Sequence, residues 1–391
     1  MKKNIYVFLT FAVHGIGGTQ IYIRNKLLYL QKNGWIVKII TSESGDNIMV
    51  KELVPYAKDI VPSIMKNPGL CSKSERDIAL HCMSTIIGYS EENIIIETNF
   101  MAATPWGEML AKRLNARHFI LLIQENYYLN APKYQKFFAW KYDRRELAAN
   151  TPSAVTQLLN GYRKIDEGQS PVLQPYCHNV VEECETPELD ALIENANFHI
   201  GSIGRLNKPF VIPMVKQVDD FTRKHLDKTF QLVLFGGSPD NMESEKILSF
   251  QHENFHIAIT GPLFPVPLHL LQKMDLFIAS AGAARTSYEA GGITIAMDAN
   301  DYEPIGIMGR DTQLTISREG NKKHASINEL LTEVLFTSKE FPKPPVVIED
   351  IEEEFIKHID FLKNMDKTQL YYDVSKLWPS FISRILHWLR H

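Results

Sequence analysis

At 391 residues the chain is long for one domain and fits two of ordinary size. Its 45% hydrophobic and 23% charged residues are those of a soluble globular protein, and the net charge of -4 gives no reason to expect nucleic acid as the main partner. No apolar run is long enough to span a bilayer. The four cysteines, Cys71, Cys82, Cys177 and Cys184, lack metal-type spacing, and the pair around His178 resembles a ligand set only loosely. No metal is expected, and reduced thiols in a cytoplasmic protein are.

The opening, MKKNIYVFLTFAVHG, has two lysines and a short apolar run, the beginnings of a signal peptide. It lacks an A-x-A-like cleavage site, and Ile5 to Phe11 fits a first strand covered on both faces. Gly15, Gly17 and Gly18 follow, then a helix over Thr19–Asn33 with Ile23, Leu27 and Leu30 on one face, closed by Gly34. Trp35 to Thr41 is the next strand. A βαβ opening with a glycine-rich turn raises a dinucleotide site, but G-x-G-x-x-G needs glycine where Gln20 stands. The turn reads better as a close-approach surface for another phosphate or sugar.

Strands follow at Asn93–Glu97 and His118–Gln124, ending in Glu97-Thr98-Asn99 and Gln124-Glu125-Asn126. In an open parallel sheet both ends line the carboxyl-edge crevice, although Thr98 and Asn99 equally suit helix capping. Tyr127 to Arg145 is dense in aromatics and in Lys and Arg. Such a face suits anionic lipid or a half-buried helix with snorkelling lysines. Val172 to Tyr176 reads as the last strand of the first domain, and the acidic stretch to Asn197 as a linker.

A second βαβ series begins at His199–Ile203. Its turn, Gly204-Arg205-Leu206-Asn207-Lys208-Pro209, brings two cations together, which repel unless something anionic joins them; a diphosphate would accept both, and a salt bridge to a carboxylate is the ordinary alternative. A helix over Phe210–Thr222 and strands Gln231–Phe235, ending in Gly236-Gly237, and Phe255–Thr260 come next. Leu276 to Met297 then reads strand, small-residue turn over Ser280–Ala284, helix from Thr286 to Ala290, and strand. A turn without bulk at a helix start leaves N–H groups outward, where phosphate binds well. Glu289, one to two turns further on, suits paired sugar hydroxyls. The bland alternative is an αβ unit whose small residues let the helix pack close.

Four segments in order carry a resemblance: GIGGTQIYIRNKLLYLQKNGWIVKIIT, IGRLNKPF, LVLFGGSPDN and SYEAGGITIAMDANDYEPIG. They resemble, from Ile5 to about Ser338, the GT-B-fold glycosyltransferases, in particular the group 1 or family 4-like nucleotide-sugar transferases. The likeness implies an α/β chain of two Rossmann-like, doubly wound parallel-sheet domains facing across a cleft. The domains implied are an acceptor-side domain over 1–177, a linker over 178–197, a donor-side domain over 198–365, and a helical segment over 366–391 that crosses back or lies at an interface. It further implies that Arg205 and Lys208 hold the donor diphosphate. Gly17, Gly18, Gly236, Gly237, Ser280, Gly282 and Ala283 would line the nucleotide-sugar site, and Glu289 would hold the ribose.

There are departures from the family pattern. Ala281 stands where an E-x7-E pattern has its first Glu, and SAGAARTSYEA also resembles the S-G-A-x-T-x-x-E turn of the inverting GT-B enzyme of peptidoglycan synthesis. Where many members place a histidine after the fourth strand, this chain has Gln124-Glu125-Asn126. The implied reaction is metal-independent transfer from a nucleotide-diphosphate sugar, in the first instance a UDP-sugar, to a glycan or lipid-linked acceptor, as in surface polysaccharide synthesis. For an inverting outcome Glu125 and His14 are the candidate bases. A GT-B-fold nucleotide-sugar 2-epimerase and a non-catalytic binding homologue are the other two readings. Last, Trp378, Phe381, Ile382, Ile385, Leu386 and Leu389 form one apolar stripe on a helix, suited either to crossing back onto the first domain or to parking a cytoplasmic enzyme on the inner face of the membrane.

Overall fold

The computed structural model describes residues 4–43, 45, 48–88, 93–123, 131–177, 180–238, 242–299, 301–313, 325–337, 341, 343–347, 351–366 and 368–380. The chain forms two compact units, Met1–Cys177 with Asp350–His391, and His178–Glu349.

The first unit is built on a parallel sheet of β1 (Asn4–Thr10), β2 (Ile36–Thr41), β3 (Asn93–Thr98), β4 (Arg117–Leu122) and β5 (Leu147–Ala149), in the order β2-β1-β3-β4-β5. Its helices are α1 (Gly18–Lys32), α2 (Lys73–Ile87), α3 (Ala103–Leu114), α4 (Pro132–Asp143) and α5 (Pro152–Leu159). β1 is buried from Ile5 onward because both faces are covered, which is why its sequence shows no polar alternation. Gly34 turns the chain from α1 into β2 at φ +77°, and Ser72 and Glu75 cap α2 reciprocally. Strand order reverses at β1, so the crevice of this sheet opens at the carboxyl ends of β1 and β3.

The second unit holds β6 (Val181–Glu182), α6 (Pro187–Asp190), β7 (Phe198–Ile203), α7 (Val211–Thr222), β8 (Phe230–Phe235), α8 (Met242–Leu248), β9 (Phe255–Ile259), β10 (Val266–Pro267), α9 (Leu268–Gln272), β11 (Leu276–Ala279), α10 (Gly282–Glu289), β12 (Thr294–Met297), β13 (Pro304–Ile307) and α11 (Ile327–Phe336). Its main sheet runs β13-β12-β11-β7-β8-β9, parallel except for the antiparallel edge strand β13. The reversal here lies between β7 and β11. The last α-helix among the described residues, α12 (Ile351–Lys363), belongs to the first unit.

Several boundaries differ from the expected ones. The supposed linker is not free chain: β6 pairs with β10, and 178–197 lies in the second compact unit. The last strand of the first sheet is β5, and the expected strand over Val172–Tyr176 is reduced to one bridge, Ala149 to Val172. The return to the first unit begins at Asp350, well before residue 366. Phe381 onward, the bulk of the expected terminal helix, lies outside the described residues, whereas Trp378 is extended and packs on the first unit with the Arg76 guanidinium 4.6 Å from its ring. In the aromatic and basic stretch, Phe137, Phe138 and Lys141 are buried while Lys133 and Lys136 face out, so from Pro132 it is a half-buried helix.

Two buried charge networks fix the first unit. Lys26 Nζ donates to Glu97 Oε2 at 2.7 Å, to the Tyr6 and Tyr22 hydroxyl oxygens at 2.7 and 3.0 Å, and to His358 Nδ1 of α12 at 3.2 Å. Glu97 is therefore a core residue rather than a crevice one. In the other network Glu108 Oε2 lies 2.9 Å from His118 Nδ1 and 2.5 Å from Lys141 Nζ. Lys141 also bridges to Glu146, and Arg144 joins Glu146 to Asp366 on the returning chain.

Burial, reinforced by Lys141, lowers the His118 pKa to about 4. Burial pushes Glu108 up, but Lys141 and His118 outweigh it and hold that carboxyl near 2. Burial and then Lys26 hold His358 well below 6.5. Each folded-state pKa lies below its unfolded value, so each group contributes stability at neutral pH that is lost on acidification. The histidine part vanishes as pH falls from about 6.5 towards 4, and the Glu108 part from about 4.5 towards 2. The melting temperature should drop from pH 7 to pH 4, with His118→Gln flattening that limb; a profile level down to pH 4 would contradict these assignments.

Candidate functional site

At the carboxyl edge of the second sheet the neighbouring strands β7 and β8 both run into glycine. β7 runs into Gly204, whose φ of +127° admits few other residues. Its N–H donates to the Phe235 carbonyl at 3.0 Å, and a Cβ on Gly236 would overlap the Gly204 carbonyl. At Gly237 an added Cβ would sit 2.7 Å from Pro262 Cδ. The two glycines at the end of β8 are thus required by backbone packing, which sets the shape of the floor.

On this floor lies the turn with both cations. Lys208 folds back over Gly204, its Nζ 3.6 Å from where a Cβ would be. Arg205 is exposed, and among the described residues no hydrogen bond or ion pair engages its side chain. The parallel register of β11 with β7, Leu276 beside Ile200 and Phe277 beside Gly201, carries Ser280 to the level of Gly204. So the Arg205–Lys208 turn and the start of α10 lie side by side at the topological switch point of the sheet, where open α/β sheets hold ligands.

The start of α10 has three features of an anion seat. Gly282 and Ala283 are first-turn residues, whose N–H groups have no acceptor within the helix, and Gly282 carries no side chain to cover them. Ser280 is 2% exposed, yet its hydroxyl has no partner among the described residues. Ala281 has φ +55° and ψ −135°, a region that costs a residue with a Cβ about 1–3 kcal/mol. The helix starts four residues before the expected Thr286 because Gly282 to Arg285 are already helical.

Glu289 sits at the far end of α10 and accepts from Arg285 Nε at 2.5 Å, one turn back. Eight helical residues separate the carboxylate from the amide end by on the order of 10 Å. Arg285 was overlooked in the sequence, although its spacing of four from Glu289 was there to be seen.

The other expected residues belong to the first unit. Gly17 is the extended N-cap of α1, and Gly18 packs on Cys177, whose Cβ would lie 3.0 Å from an added one. His14, just past β1, places Nε2 3.4 Å from Glu43 Oε1, while its enclosed Nδ1 has no partner among the described residues. Glu125 lies outside the described residues, as does His178, which was weighed with Cys177 and Cys184.

No protein-family model matches this chain, and no curated protein sequence does. Among solved structures it is similar to a glycosyltransferase from Rickettsia africae (18% identity, 93% of this chain and 94% of that one, TM-score 0.56). It is similar also to TarM (10% identity, 100% and 98%, TM-score 0.51) and to the S. aureus MnaA–UDP co-structure (14% identity, 95% and 99%, TM-score 0.50). The chain has the GT-B glycosyltransferase fold. The GT-B likeness extends over both units, since the alignments cover nearly the whole of each chain.

Proposed function

We propose that the protein is a glycosyltransferase that moves a sugar from a nucleoside-diphosphate sugar, in the first instance a UDP-sugar, to a saccharide or lipid-linked acceptor. The observation that carries this reading is the pairing, at one switch point, of the Arg205–Lys208 turn with the amide end of α10 over the buried Ser280 hydroxyl. Glycosyl transfer leaves a diphosphate gathering negative charge as the sugar becomes oxocarbenium-like. Two cations and a helix N-terminus stabilise that charge without a metal ion. The co-structure of MnaA with UDP supports the choice of nucleotide. Gly236, Gly237, Gly282 and Ala283 line the donor site in this reading. An inverting outcome would draw its base from His14 or Glu125; with retention the departing phosphate can take the acceptor proton.

Incubation with a panel of UDP- and GDP-sugars tests the reading. Slow release of nucleoside diphosphate with free or transferred sugar is expected. An altered sugar still on its nucleotide would make the protein a 2-epimerase, and no change with any donor would leave a binding homologue. A role in surface polysaccharide synthesis and a peripheral place on the cytoplasmic membrane face belong to the same proposal. Full-length protein that ignores anionic vesicles at low salt would remove the membrane part.

Glu289 is assigned to the ribose hydroxyls, with Arg285 holding its carboxylate in place. Glu289→Gln replaces charge-assisted acceptance by a weaker amide and loses the ion pair. UDP affinity by calorimetry should fall on the order of tenfold, about 1.4 kcal/mol. An unchanged affinity would return Glu289 to the helix-surface carboxylates.

A further inference from the structure

The aromatic and basic stretch along α4 builds a second concave site that the donor chemistry does not use. A cavity of about 530 Å³ is lined by Lys136, Trp140, Asp143, Tyr162, Arg163 and Tyr372, all of the first unit. α4 runs back between parallel strands β4 and β5, so its C-terminal end, with Trp140 and Asp143, lies towards the amino edge of the sheet. The crevice of that sheet is at the opposite, carboxyl edge.

Its walls are held in place. The Tyr372 N–H donates to the buried Glu108 Oε1 at 2.7 Å, and its ring meets Phe137 edge-on at 5.1 Å. Trp140 stands at 60° to Tyr372 with centroids 5.6 Å apart, and the Arg144 guanidinium covers it at 4.7 Å. Tyr162, 44% exposed, supplies a third aromatic surface. Between them lies an ion pair of Arg163 with Asp143, whose side chains are 44% and 55% exposed. The cavity thus offers fixed aromatic faces together with a donor and an acceptor, and its volume suits a small ligand.

We propose that this pocket binds a saccharide, its C–H faces stacked on Trp140, Tyr162 and Tyr372 and its hydroxyls hydrogen-bonded to Asp143 and Arg163. Aromatic rings present a negative face to the weakly positive C–H groups of a sugar ring, and hydroxyls both give and accept, as the mixed ion pair requires. An anionic lipid surface fits less well. The aromatics line a concavity, and the Arg163–Asp143 ion pair leaves Lys136 as the net charge of this lining, too little to hold an anionic surface.

The test needs no donor and does not depend on the transferase reading. Full-length protein is run in native gels containing soluble starch, dextran or polygalacturonate, and retardation in at least one is expected. Tyr162→Ala and Arg163→Ser change exposed side chains and should keep the circular dichroism spectrum while weakening retention about tenfold, the scale of one stacking or charge-assisted contact. Retardation in none of the gels would overturn the proposal, as would retention of both variants equal to that of the parent. Sedimentation with phosphatidylglycerol vesicles, lost in the same variants without any gel retardation, would assign the pocket to lipid and likewise overturn it.

Discussion

Arg205→Ala is expected to lower turnover of the nucleotide sugar by about a hundredfold or more with the fold unchanged, the usual cost of removing one donor aimed at developing charge. The side chain is exposed and has no hydrogen bond or ion pair among the described residues, so its removal leaves no buried group unsatisfied and no cavity. The Gly204 turn beneath it is fixed by backbone, through Gly204 N–H to Phe235 and Leu206 N–H to the Gly237 carbonyl at 3.1 Å, and does not need the guanidinium. The loss should therefore fall on kcat, with the melting temperature within a degree or so of the parent. Arg205→Lys should recover part of it, because charge is kept while the two-pronged fork is lost. A folded Arg205→Ala protein with near-normal turnover would remove Arg205 from the diphosphate site.

Much of this arrangement could be read from the residues, for physical reasons that differ along the chain. Apolar runs such as Ile5–Leu9 and Leu232–Phe235 mark strands covered on both faces, and glycine after a strand marks a turn that tolerates no Cβ. The Arg205–Lys208 turn and the small-residue start of α10 were legible for the same reason, as local chemistry at strand ends. What was missed depends on contacts distant in sequence. β6 is two residues long and exists only because Val181 finds Val266, so its stretch reads as linker. Glu97 looked like a strand-end ligand because its partner, Lys26, lies 71 positions away. One signal was present: Lys26 falls on the apolar stripe of α1 with Ile23, Leu27 and Leu30, where an unpaired cation could not remain. The side on which α12 docks was not legible, because its amphipathic face fits either unit.

The Lys26 cluster carries the second large effect. Its ammonium is fully buried with Glu97, so the attraction between them operates with little screening, and the Tyr6 and Tyr22 hydroxyls, both donating to Glu97, keep their protons because burial and that carboxylate raise their pKa values. His358 completes the shell. Its Nε2–H donates to the Gln174 carbonyl at 3.0 Å, which leaves Nδ1 to accept from Lys26, so the neutral ring ties α12 to α1. Lys26→Met fills the same volume but strands the Glu97 charge and removes one donor to His358. Breaking one side of a buried pair costs roughly 3–5 kcal/mol, enough to lower the melting temperature of a unit this size by about 10 °C. Lys26→Met with Glu97→Gln removes both charges and should recover much of the loss, because the amide oxygen still accepts from one tyrosine and the amide NH2 can donate to the hydroxyl oxygen of the other. Hydrogen exchange in Lys26→Met should rise first in α12, the element that the ammonium holds through His358. A melting temperature within 2 °C of the parent for the single variant, or no recovery in the double variant, would show that packing of α12 and not this charge pair holds the returning chain.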